Sequence, residues 1–164
     1  MSEFPGVTPG KYSVYGVWDG FRKNCTKLTR AARKGDIDAL ELSLQNGADI
    51  DYQDVDGQTA LMWAANGGHL EICRLLIDRG CKINITETEY SGETALIWAV
   101  VRGHLDICRL LIDRGCKIDT TTRDGYTALH WAARKGYLQI TRCLVEQGGA
   151  SPLVTTHKSP AGRP

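Results

Sequence analysis

The chain contains no run of about 18 consecutive apolar residues, so no segment is expected to span a membrane. Residues 1–20 lack the basic start and apolar core of a secretory signal. An excess of one charge is also missing: 20 Lys and Arg stand against 19 Asp and Glu, a net +1. Whole-chain attraction to nucleic acid or acidic membrane is therefore not expected. Cys25, Cys73, Cys81, Cys108, Cys116 and Cys143 form no C-x-x-C pair and no zinc-spaced cluster with His. Without a secretion signal they are expected as reduced thiols in a cytoplasmic or nuclear protein. Phosphate-binding loops of the G-x-x-x-x-G-K-[ST] kind, G-x-S-x-G elbows and H-E-x-x-H helices are absent. The expectation is no enzyme, no cofactor, no metal and no catalytic residue.

What is present is a repeat. GHLEICRLLIDRGCKIN, from Gly68, and GHLDICRLLIDRGCKID, from Gly103, differ at two of 17 positions. Ahead of them stand DGQTALMWAANG and SGETALIWAVVR, and DGYTALHWAARK opens a further unit. Gly35, Gly68, Gly103 and Gly136 recur at steps of 33, 35 and 33 residues, as do Gly47, Gly80, Gly115 and Gly148. The two extra residues fall within 86–90, between units. In the second helix of each unit, Glu71, Arg74 and Asp78 form one narrow polar stripe, repeated as Asp106, Arg109, Asp113 and as Gln139, Arg142, Glu146. The other faces are apolar, so each helix must be packed on more than one side. Gly57, Gly92 and Gly125 suit a tight turn at positive φ, and Thr59, Thr94 and Thr127 suit helix caps. Gly80, Gly115 and Gly148 are expected to end the longer helices.

Over about residues 24–152 these landmarks resemble the ankyrin repeat, with its period of 33 and T-P-L-H-x-A signature. Ala60, Ala95 and Ala128 replace the usual Pro, and only His130 keeps the signature His, with Met62 and Ile97 elsewhere. The resemblance implies an all-α solenoid of four stacked helix-turn-helix units joined by β-turn fingers. The unit boundaries are about 24–53, 54–86, 87–121 and 122–152. Arg30 stands where later units have Trp63, Trp98 and Trp131, as suits a capping unit. Residues 1–23 crowd Phe4, Tyr12, Tyr15, Trp18 and Phe21 among glycines that argue against a regular helix. They are expected to cover the flank of the first unit, or else to dock a partner. Residues 153–164 read as a disordered tail.

The resemblance further implies a non-catalytic protein-binding module, an adaptor or scaffold and a monomer, meeting a protein partner through its concave groove and finger tips. Mapped onto this chain, the positions are Val55, Asp56, Gln58, Asn66, Tyr90, Ser91, Glu93, Val101, Arg102, Arg123, Asp124, Tyr126, Arg134 and Lys135, with Arg33 and Lys34 from the first unit. The alternatives are nucleic-acid binding through the basic helix ends, or a regulatory subunit of an enzyme complex. His69 and His104 are expected to donate hydrogen bonds within their own turn, and His130 to tie adjacent units together. Asn84 resembles the asparagine that some ankyrin repeats have hydroxylated.

Overall fold

The computed structural model describes the backbone of residues 14–150 and the side chains of residues 20–150. Among these are eight helices: α1 (Val14–Lys34), α2 (Ile37–Gln45), α3 (Ala60–Gly67), α4 (Leu70–Asp78), α5 (Ala95–Arg102), α6 (Leu105–Asp113), α7 (Ala128–Lys135) and α8 (Leu138–Glu146). They form four pairs, each joined by a short turn. The first helices pack side by side in the order α1, α3, α5, α7, while α4 meets α6 and α6 meets α8 in a second layer.

Each unit builds its first helix in the same way. Thr59 Oγ1 accepts from the Met62 amide at 3.2 Å, Thr94 Oγ1 from Ile97 at 3.2 Å, and Thr127 Oγ1 from His130 at 3.3 Å. These bonds satisfy amides that the helix start would otherwise leave orphaned. Gly68, Gly103 and Gly136 then close the helices in the left-handed conformation, at φ of 77°, 78° and 74°. Met62, Ile97, Leu76 and Leu111 are fully enclosed between units. Met62 and Ile97 occupy the signature-His position, where an apolar side chain suits an interior unit. His130, its counterpart in the fourth unit, is half-buried.

Several expectations need correction. Helix α1 runs for 21 residues and includes Gly16 and Gly20, so the glycines do not break it. A glycine costs a helix only about 1 kcal/mol, and extending an existing helix is far easier than nucleating one. The segment 1–13 and the side chains of Tyr15 and Trp18 lie outside the described residues, as does the tail 153–164. Among the repeat leucines, Leu61, Leu76, Leu96, Leu110, Leu111 and Leu144 are buried, whereas Leu75 and Leu129 are half-buried. Leu129 lies on α7, and among the described residues no further unit covers it as the next units cover Leu61 and Leu96. In the last unit the positive φ falls on Gly149, at 69°, and not on Gly148. Helix α8 has the same nine residues as α4 and α6, but its C-cap Gln147 keeps a right-handed helical conformation, and the left-handed residue follows one position later.

Two of the histidines depart from the roles expected of them. His69 Nε2 lies 3.2 Å from the Arg33 carbonyl, and His104 Nε2 lies 3.2 Å from the Asn66 carbonyl, so both bond to the preceding unit. A Cβ on Gly35 would come within 2.7 Å of the His69 ring, and one on Gly68 within 2.7 Å of the His104 ring. The glycines therefore supply the turn and also the seat for the next unit's imidazole. His130 engages its own helix start, accepting the Thr127 amide at Nδ1 over 2.9 Å. The polar stripe is exposed as expected, but Asp78 leaves it to pair with Arg114 of the next unit at 2.7 Å.

Candidate functional site

The fingers share one hydrogen-bonded frame. Asp54 N donates to the Gln58 carbonyl at 2.9 Å, Glu87 N to that of Glu93 at 2.8 Å, and Thr122 N to that of Tyr126 at 2.9 Å. Asp54, Glu87 and Thr122 are thus structural equivalents, and the two extra residues of the third unit lie between Glu87 and Glu93. Neighbouring fingers are stitched together as well: Arg123 N donates to the Ser91 carbonyl at 2.9 Å, and Gln53 Nε2 to that of Thr86 at 3.0 Å.

The longer third finger is held from both sides. The Glu87 carboxylate, 2% exposed, accepts the amides of Tyr90 and Ser91 at 2.8 Å each, that of Gly92 at 3.2 Å and that of Glu89. Burial pushes the Glu87 carboxyl pKa up, but these four amides outweigh it and hold the pKa below its ordinary value. Arg123 takes the carbonyls. Its guanidinium donates to Thr88 at 2.7 Å, Tyr90 at 2.8 Å and Glu89 at 3.4 Å. With both backbone faces occupied, the loop is fixed and Tyr90 projects from it, 68% exposed. Val55, at the tip of the adjacent finger, is 88% exposed. Asp56, Ser91 and Glu93 are half-buried beside them, and Asp124 is exposed.

Gln58 departs from its expected place: it is 7% exposed and therefore part of the interior, not of a binding tip. At the first-helix ends, Arg102 Nε donates to Asn66 Oδ1 at 2.7 Å, bridging units two and three. Val101 is half-buried against the core. In unit four Tyr126 packs on Trp131 at 5.6 Å between centroids and edge-on to His130 at 6.0 Å. The Arg134 guanidinium lies 5.6 Å from the Trp131 ring, and that of Arg33 lies 4.6 Å from Trp63 across the first interface. Lys34, Arg134 and Lys135 are exposed.

Sequence reasoning missed Glu87. The two-residue insertion moves it five places ahead of Gly92, whereas Asp54 stands three ahead of Gly57, so alignment on the glycines hides the equivalence. All six cysteines are unbridged and buried. Burial pushes the thiols of Cys73, Cys81 and Cys116 up to about 12, and that of Cys108 upward too. Such thiols carry little thiolate near neutral pH and are poor nucleophiles. Among the described residues no three His, Cys, Asp or Glu side chains are grouped to hold a metal, and no helix is long and apolar enough to cross a membrane.

The family model described as ankyrin repeats (3 copies) matches residues 28–122 and 80–156. The chain belongs to the ankyrin-repeat family. Its ankyrin units are similar to those of a probable E3 ubiquitin-protein ligase of Oryza sativa, at 36% identity over 80 residues, 49% of this chain and 14% of that protein. They are 48% identical over 56 residues to ankyrin repeat domain-containing protein 29 of Danio rerio, covering 34% of this chain and 19% of that protein. Protein phosphatase 1 regulatory subunit 12A of Mus musculus is 45% identical over 56 residues, covering 34% of this chain and 5% of that protein. The chain thus spans less than a fifth of the length of these relatives. Ankyrin repeats are generally protein–protein interaction modules and typically non-catalytic.

Proposed function

We propose that this chain is a non-catalytic interaction module, an adaptor or scaffold working as a monomer, that binds a protein partner across its finger tips and first-helix ends. The observation that carries the reading is the clamped third finger. Glu87 and Arg123 fix the loop before any partner arrives, so an exposed aromatic, Tyr90, is offered with little further ordering to lose on binding. Exposed Tyr and Arg are the side chains most often found to dominate an interface, and Val55, Tyr90, Arg102 and Arg134 lie along this edge. Its relatives include a regulatory subunit of a phosphatase, a role of the same general kind.

A cytoplasmic or nuclear setting accords with six unpaired, buried thiols. Quantitative affinity capture from the source cell tests the proposal, comparing the wild type with a Val55→Ser/Tyr90→Ser variant. Partner recovery should fall at least tenfold while the melting curve stays in place. Undiminished recovery would remove the finger edge from the binding surface.

A further inference from the structure

Between Phe21 and Gly35 helix α1 carries Arg22, Lys23, Lys27, Arg30, Arg33 and Lys34 and no acidic residue. All six are exposed, and none forms an ion pair among the described residues. Beside them lie two depressions, of about 190 and 320 Å³, that share Lys27 and Arg30. The smaller lies between α1 and α2, with Ala31, Ala39 and Leu42 as its apolar lining and Lys27, Arg30 and Lys34 at its rim. Leu42 is 56% exposed there. One acid, Asp36, also lines it, and its carboxylate accepts the Ala39 amide at 3.0 Å as the cap of α2.

We infer that this trough along α1 is a second docking surface, on the opposite flank of the first unit from unit two, that takes an acidic peptide segment bearing apolar side chains. Charge complementarity requires the acid: Arg33 lies over Trp63 of unit two, and the other five cations on the helix repel one another and are relieved by carboxylates. The recessed apolar patch requires the rest, because a purely anionic ligand would leave Leu42 in water. A depression of 190 Å³ is below the size of typical small-molecule sites, about 300–1,000 Å³, and suits one or two side chains of a longer ligand. The helix rises by roughly 18 Å from Arg22 to Lys34, the span of about six extended residues.

Nucleic acid fits less well, since the lining offers no aromatic side chain on which a base could stack. The chain's own residues 1–13 fit less well too. They hold one acid, Glu3, and one base, Lys11, and so cannot neutralise the trough.

The experiment uses the full chain and a fluorescein-labelled peptide of four Glu-Glu-Leu repeats, read by fluorescence anisotropy. Saturable binding is expected, weakened on the order of tenfold by Lys27→Glu/Arg30→Glu. Leu42→Ser, or a Glu-Glu-Ser peptide in place of Glu-Glu-Leu, should each weaken it about threefold. Melting curves of the variants check that the fold is retained, and both cations are exposed enough to be replaced without disturbing the core. Reversal of Arg102, Arg134 and Lys135 should leave peptide binding unchanged, which separates this surface from the finger edge. Four results would each overturn the inference: no saturable binding, equal affinity for the Glu-Glu-Ser peptide, tighter binding of a 12-nucleotide single strand at Lys27 and Arg30, or a tenfold gain when residues 1–13 are deleted.

Discussion

Asp54 Oδ2 accepts a hydrogen bond from the Trp63 indole at 2.7 Å, and neither following unit repeats it. The other carboxylate oxygen accepts the Asp56 and Gln58 amides at 3.0 Å each, so one side chain shapes the finger and anchors the first helix. In unit three the equivalent Glu87 spends its acceptors on the inserted loop, and in unit four Thr122 accepts only the Tyr126 amide, at 3.1 Å. The indole nitrogens of Trp98 and Trp131 are consequently buried without a partner. Thr122→Asp restores the acceptor beneath Trp131 and should stabilise the protein by about 1 kcal/mol, read as a higher denaturation midpoint. Asp54→Ala should cost about 2–4 kcal/mol, because it orphans three donors at once. A lower midpoint for Thr122→Asp would show that the indole is already satisfied.

Acid should loosen the third finger before the rest. The Glu87 pKa is lower in the folded protein than in the unfolded chain, so its contribution is fully present above the ordinary carboxylate value. It is lost as pH falls through the folded pKa. Glu87→Gln keeps the shape but replaces one acceptor oxygen with a donor, and should cost about 1–3 kcal/mol at neutral pH. The gap between wild type and variant should close on titration below pH of about 4. A gap that persists unchanged into strong acid would mean that the carboxylate charge does not hold the loop.

The repeat was readable because it rests on local rules. A positive-φ glycine, a threonine cap and a narrow polar stripe each restrict the backbone within a few residues, and their recurrence fixes the stacking partner. Relations between units were less accessible. His69 and His104 look like turn residues in sequence, yet they reach back 36 and 38 positions to the Arg33 and Asn66 carbonyls. Gln58 looks like a polar finger tip, but it follows the buried Gly57 and turns inward. Of the candidate edge, the exposed Val55 and Tyr90 could be located from the repeat alignment. The clamp that makes Tyr90 rigid could not, since Arg123 and Glu87 meet the same loop from different units.

The inter-unit histidines supply a direct check on stacking. His69→Ala leaves the Arg33 carbonyl without its partner and opens a void above Gly35, so it should lower stability by about 1–2 kcal/mol. His69→Ala and His104→Ala act at separate interfaces, and their effects should nearly add in chemical denaturation. Loss from neither would mean that water replaces the imidazoles without penalty.

Thiol chemistry should follow burial. In the native protein a thiol-specific reagent should label Cys73, Cys81, Cys108 and Cys116 slowly at neutral pH, since burial disfavours their thiolates. In denaturant all six should react, and reductant should leave the melting temperature unchanged. Fewer than six reactive thiols after unfolding, or a melting temperature lowered by reductant, would indicate a disulfide.

Partner recognition should reside where the units differ. Units two and three are nearly identical through α4 and α6, so those helices present the same surface twice. Their edges diverge: Val55 against Tyr90 and Asn66 against Val101, while Gln58, the counterpart of Glu93, is buried. Unit four adds Tyr126, Arg134 and Lys135 at the same edge. Reversing Arg102, Arg134 and Lys135 to Glu should therefore weaken partner binding with little change in the helical spectrum. Arg102 is the one position of the three bonded across units, through Asn66 at 2.7 Å, so Arg102→Gln serves as the milder companion variant. Reversing Arg74, Arg109 and Arg142 on the exposed outer stripe changes charge by the same amount and should leave binding largely intact. Equal losses from both sets would identify attraction by net charge alone, and exchange of the two outcomes would move recognition to the outer stripe.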